Sequence, residues 1–153
     1  MREILFRGKR LCLDEWVEGY FVMAKMYRCD DELCEYISVP HPETEGMPSD
    51  EFLVDPDTVG QFTGLTDKNG KKIFEGDIIK FHKYRYEPDW VGVVEYENCL
   101  FVAKGTMPLA YEKQIGDDAY YCPFEVQLSG IDKARVAVIG NITDNSKLLE
   151  VNN

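Results

Sequence analysis

The groups this chain offers for chemistry are few in kind. It has two histidines, His41 between two prolines and His82 at the end of a strand-like run, five cysteines, and 28 carboxylates. A Ser-His-Asp or Cys-His arrangement needs an imidazole packed beside its nucleophile, and neither histidine has a setting that predicts it. Paired-carboxylate catalysis needs two acids at a fixed separation, but spacing selects no pair here, and the acids crowd into a proline-rich stretch that reads as solvated charge. Gly60 and Gly64 match neither a phosphate-binding loop nor a dinucleotide fingerprint. Cys29, Cys34 and His41 lie close together with Cys12 as a conceivable fourth zinc ligand, yet the CxxC knuckle of most structural zinc sites is missing. The favoured reading makes Cys12, Cys99 and Cys122 small buried hydrophobes and puts Cys29 and Cys34 in or beside an acidic loop. No catalytic residue, metal site or cofactor is predicted.

The elements that would position any site are mostly strands, because period-2 patterning dominates over period 3.6. Arg2–Arg7 and Trp16–Tyr27 read as an N-terminal meander, with Glu18-Gly19 as a bulge or close-approach point, and Glu35–Val39 as a third strand stopped by Pro40 and Pro42. In Asp67-Lys68-Asn69-Gly70-Lys71 the Asn-Gly pair tolerates the positive φ of a type I′ turn, which predicts a hairpin. Gly76-Asp77 makes a corner into Ile78–Phe81, where Ile79 and Phe81 share a face. Val91–Tyr96, a turn at Glu97-Asn98, and Leu100–Ala103 follow. Short strands with turn signals between them suggest a small closed barrel. Residues 105–123 carry no clear period, although Leu109–Ile115 could make two helical turns. Phe124–Leu128 and Arg135–Ile142 are the last strands, and Ser146–Glu150 reads as a short helix started by Asp144 or Asn145.

The 153 residues fit a single domain: a β meander with an acidic segment over 1–60, a small barrel over 61–142 with an irregular insertion at about 105–123, and a short helix with a tail over 143–153. The net charge of −11 argues against a sequence-independent grip on nucleic acid. That charge is local, with residues 28–60 contributing −9 and four prolines, at 40, 42, 48 and 56, which describes a solvated connection. No stretch has the length of a signal-peptide core or a membrane span, so a cytoplasmic protein is expected.

A longer pattern then stands out. The run Val59-Gly60-Gln61-Phe62-Thr63-Gly64-Leu65-Thr66-Asp67-Lys68-Asn69-Gly70-Lys71-Lys72-Ile73-Phe74-Glu75-Gly76-Asp77-Ile78-Ile79 resembles the signature of the YopX family of bacteriophage and prophage proteins. Met1–Arg7, Gly92–Tyr96, Val138–Ile142 and Leu148–Glu150 resemble its flanks, whereas residues 28–57 and 105–123 follow no pattern of that family. The resemblance implies a mostly β fold with a barrel of the Src-homology-3 type and an origin in a phage or prophage, hence a bacterial host cell. It implies no catalytic residues. The signature is explained without chemistry: Thr63, Gly64, Asp67, Asn69, Gly70, Gly76 and Asp77 are structural residues that shape turns and receive turn amides.

What is left for function is the loop His82–Trp90, in which Tyr84, Tyr86 and Trp90 are candidate contacts with a protein partner. The competing reading closes the barrel's end with Trp90 and one tyrosine. Lys80, Lys83 and Arg85 make this the locally basic stretch, too small for a nucleic-acid surface. The leading expectation is a non-enzymatic accessory protein that binds a protein partner or self-associates as a homo-oligomer. An acidic nucleic-acid mimic that blocks a host DNA-binding or defence protein is the alternative, and an unrecognised enzyme the third.

Overall fold

A computed structural model describes residues 3–25, 33–40, 49–82, 89–108 and 121–152. Eleven strands dominate them: β1 (Phe6–Lys9), β2 (Trp16–Lys25), β3 (Leu33–Val39), β4 (Asp50–Leu53), β5 (Gly60–Thr66), β6 (Lys72–Phe74), β7 (Asp77–Phe81), β8 (Trp90–Glu97), β9 (Leu100–Pro108), β10 (Tyr121–Gln127) and β11 (Val136–Asn141). They form two sheets, ordered β4-β3-β2-β1-β5-β6 and β10-β9-β8-β7-β11. The mainly β class read from the sequence is therefore what forms. No helix among the described residues is long and apolar enough to cross a membrane. The chain makes two compact units, Met1–Gly64 and Leu65–Asn153, divided within β5.

In the first unit an antiparallel meander buries Leu5, Tyr36, Ile37 and Val54. Gly19 is a close-approach point as its sequence context predicts: a Cβ there would lie 2.3 Å from the carbonyl oxygen of Ser38. The acidic segment is more structured than its composition predicts. Asp50–Leu53 pairs with β3, in a register that sets Phe52 opposite Ile37. The next residue, Val54, is fully buried. Asp55 then caps a 3₁₀ turn, Pro56–Thr58, by accepting from the N–H of Asp57. Among the described residues of this segment, Phe52 and Val54 supply the apolar face that composition averages away.

The second unit gathers Ile73, Ile79, Phe81, Trp90, Val94, Ala103, Leu128 and Val136 into one core. Ile79 and Phe81 share that face as expected, and Lys80 between them is exposed. The small closed barrel is not what forms. Among the described residues the sheet is open, with β10 and β11 as its edges. Between them the chain makes two 3₁₀ turns, Leu128–Gly130 and Lys133–Arg135, whose geometry cannot pair as strand, and buried Leu128 packs into the core.

Several local readings need correction. The insertion at 105–123 is partly strand, because β9 runs to Pro108 and pairs through Tyr121↔Pro108 with β10. Pro123 is tolerated there since β10 is an edge strand. The proposed helical turns at Leu109–Ile115 lie outside the described residues. Cys12 and Cys99 are exposed, so they are not the small core hydrophobes expected, and the side chain of Cys122 lies outside the described residues. Cys12 sits in the bend between β1 and β2, and Cys99 at a hairpin tip. The C-terminal helix starts earlier, as α1 (Ile142–Asn145) continued by a 3₁₀ segment Ser146–Asn152. Its cap is Asn141, whose side-chain oxygen accepts from the N–H of Asp144 at 2.8 Å.

A basic cleft beside the signature hairpin

The hairpin of the signature forms, but with a different turn. Asp67 N–H donates to the Lys71 carbonyl and Gly70 N–H to the Asp67 carbonyl, closing a three-residue loop. Gly70 has φ +82°, whereas positive φ outside glycine is confined, among the described residues, to Asn98 and Cys99. This is the pattern of a type I turn followed by a left-handed bulge residue, not a type I′ pair at Asn69-Gly70. The physical reason is Asp67. Its Oδ1 accepts from the N–H groups of Asn69 at 2.7 Å and Lys71 at 2.9 Å, pulling both amides onto one oxygen. The type I′ conformation occurs instead at Asn98-Cys99, where the pairing Glu97↔Leu100 leaves a two-residue loop, one position on from the turn read at Glu97-Asn98.

The other oxygen of Asp67 reaches out of the hairpin. Oδ2 accepts from the N–H of Val138 at 3.1 Å, and Lys68 N–H donates to the carbonyl of Val136 at 3.0 Å. Asp67 is buried, 3% exposed. Burial pushes its carboxyl up, but the bonds from Val138, Lys71 and Asn69 outweigh it and hold the group below the usual carboxylate range. The remaining signature residues act alike. Asp77, also buried, accepts from Phe74 N–H at 2.8 Å. Gly76, at φ +78°, donates to Val94 and accepts from Ile142, and Gly64 is likewise left-handed at φ +84°. Thr63 is buried.

This stapling puts Lys68 beside β11, on a cleft of about 420 Å³ lined also by Lys80, His82, Asp89, Arg135 and Ala137. Alternation along β7 turns Lys80 out from the buried Ile79 and Phe81. His82 follows β7, its N–H held by the carbonyl of Arg135 at 3.2 Å. Arg135 ends the turn Lys133–Arg135, which Asp132 caps by accepting from Ala134 N–H at 3.0 Å. Asp89 joins the group together: one oxygen lies 2.6 Å from Lys80 Nζ and the other 2.6 Å from His82 Nδ1. The bond from Lys80 is the main reason its carboxyl sits below the usual range, partial burial opposing and His82 assisting. His82 and Asp89 thus tie the two ends of the loop that sequence reading singled out.

Of that loop's candidate contacts, Tyr84 and Tyr86 lie outside the described residues. Trp90 is 4% exposed and stacks edge-on against Phe81 with ring centroids 4.6 Å apart, so its side chain belongs to the core. The basic character noted at Lys80 is real, but its companions Lys68 and Arg135 come from distant stretches. Sequence spacing gave no signal for that meeting. Among the described residues no group of three or more His, Cys, Asp or Glu side chains could hold a metal ion, and Cys29 and His41 of the conceivable zinc set lie outside them.

Compared with known protein families, the chain matches the one described as "YopX protein" over residues 5–150. It belongs to the YopX family. The match takes in both units of the fold and every signature residue named above. No curated protein matches this YopX chain. A solved structure described as that of protein EF1440 from Enterococcus faecalis is similar to it, with 22% identity and a TM-score of 0.47 over 97% of this chain and 99% of the other.

Proposed function

We propose that this YopX protein is a non-enzymatic accessory protein of a phage or prophage that works by binding a protein partner or by self-association. The observation that carries the reading is the chemistry of the cleft. Asp89 is engaged by Lys80 and His82 together, so the carboxylate there serves to hold the loop ends and the neighbouring cations. Lys68 and Arg135 add charge from two other elements. Such a set attracts and orients a charged partner without itself making or breaking bonds.

One observation favours a second reading. Asp89 against Nδ1 of His82 resembles an oriented imidazole, whose other nitrogen could act as a general base. The two are separated by assaying one preparation twice, for partner capture from bacterial host lysate and for turnover in a broad hydrolase and transferase screen. Capture that is lost in Lys68→Glu, without turnover, is the expected result. A turnover abolished by His82→Gln overturns the binding reading.

A further inference from the structure

We infer that the cleft bounded by Lys68, Lys80, His82 and Arg135 is a docking site for an acidic polypeptide segment, its cations receiving the partner's carboxylates. The inference rests on the binding reading above and names the partner's chemistry.

Three cations and an imidazole meet there from three separate places in the chain, with Asp89 the carboxylate among them. Gathering like charge costs free energy unless something compensates it. Asp89 compensates Lys80 and Asp132 lies 3.5 Å from Arg135, whereas Lys68 has no ion-pair partner among the described residues. The chain as a whole carries −11, so a cationic cleft runs against its average and must act locally, within a screening distance of about 8 Å at physiological salt. The backbone positions that carry these charges are also set in advance. Lys68 is pinned through its own N–H to Val136 and through Asp67 to Val138, and Arg135 sits in a capped turn whose carbonyl holds His82. A partner therefore meets backbone-anchored cations, which lowers the ordering cost of binding.

Size and ion type select the ligand. A cleft of about 420 Å³ falls in the range of organic ligands and is larger than one small oxyanion requires. Two of its three cations are lysines, point charges on flexible stems that accept carboxylates at varied angles, where an arginine fork would demand one planar partner. Several side-chain carboxylates on a peptide fit that better than a single tetrahedral group.

The test is fluorescence anisotropy on the full chain at low ionic strength, with a labelled peptide of alternating Glu and Gly, its Gln-Gly counterpart, and inorganic phosphate as competitor. The Glu-Gly peptide is expected to bind saturably, the Gln-Gly peptide not. Lys68→Glu removes one attraction and adds one repulsion, so a loss of about three- to tenfold is expected. Lys147→Glu, the same change on an exposed residue outside the cleft, is expected to leave binding nearly unchanged. Thermal melts establish that both variants are folded, and Lys68→Gln, which deletes the charge without reversing it, is expected to fall between wild type and Lys68→Glu. Equal losses in Lys68→Glu and Lys147→Glu, or full displacement by phosphate at the peptide's own concentration, overturn the inference. A peptide that does not bind removes this ligand class alone, since the binding reading falls only to turnover.

Discussion

The buried carboxylate of Asp67 accepts a hydrogen bond at 3.1 Å from the backbone N–H of Val138, a residue 71 positions further along the chain. One side chain thus both shapes a hairpin turn and fastens it to strand β11. An isolated turn gains little from such a bond, but here the same oxygens satisfy three backbone donors at once, and leaving buried donors unpaired is costly. The family signature is therefore a tertiary device whose local turn is only one part.

Replacing that carboxylate should be among the more damaging single changes in the second unit. Asp67→Ala leaves the N–H groups of Asn69, Lys71 and Val138 without their acceptor, and a loss of about 2–3 kcal/mol is expected. Asp67→Asn keeps one carbonyl oxygen and should cost less. Urea unfolding reads both, with the midpoint falling at an unchanged slope.

The same group sets part of the acid sensitivity. Its carboxyl titrates below the usual range in the folded protein, so the unfolded chain takes up its proton first as pH falls. The stability it contributes is complete above the unfolded pKa of about 3.9 and is lost as pH drops through the lower folded value. Asp89 has the same sign, but solvent screens it. Stability measured from neutral pH down to the acid limb should fall less steeply in Asp67→Asn than in wild type. Equal slopes would mean that other carboxylates carry the acid response.

Gly70 isolates backbone strain from packing. At φ +82° it occupies the left-handed region, and a Cβ there would meet nothing within 4 Å. Gly70→Val should therefore cost about 1–3 kcal/mol from conformation alone, and Gly70→Asn distinctly less because asparagine tolerates that region. Thermal melts order the three proteins as wild type, Asn, Val. If partner capture is lost in Gly70→Val while the melting temperature holds, the turn itself is a contact site.

How far the sequence could be read follows from the range of the interactions. The meander, the hairpin at Asp67–Lys71 and the pairing of β8 with β9 depend on neighbours in sequence, and alternation with turn residues announces them. Strand β4 was hidden because its flanking acids dominate the composition while Phe52 and Val54 do the packing. The open sheet in place of a barrel turns on the two 3₁₀ turns between β10 and β11, which carry no period. The cleft was least legible of all. Lys68, Lys80 and Arg135 are ordinary surface cations in sequence and become a group only when Asp67 fastens the hairpin to β11.

The turn at Asn98-Cys99 offers the last test, because the φ values and the residue types there disagree. Both residues are left-handed, at φ 50° and 65°, in a two-residue hairpin loop for which Asn-Gly is the favoured pair. Asparagine tolerates the region, whereas a cysteine Cβ crowds the neighbouring carbonyl at a cost of about 1–2 kcal/mol. Cys99 is exposed, so its replacement forfeits little packing. Cys99→Gly relieves the crowding but enlarges the freedom of the unfolded chain, which returns about 0.4–1 kcal/mol of the gain. A net stabilisation near 1 kcal/mol or somewhat less is expected, and Cys99→Val, branched at Cβ, should destabilise. Melts under reducing conditions, with the free thiols kept intact, decide it. A Cys99→Gly protein less stable than wild type would mean that the thiol makes a contact worth more than the strain it imposes.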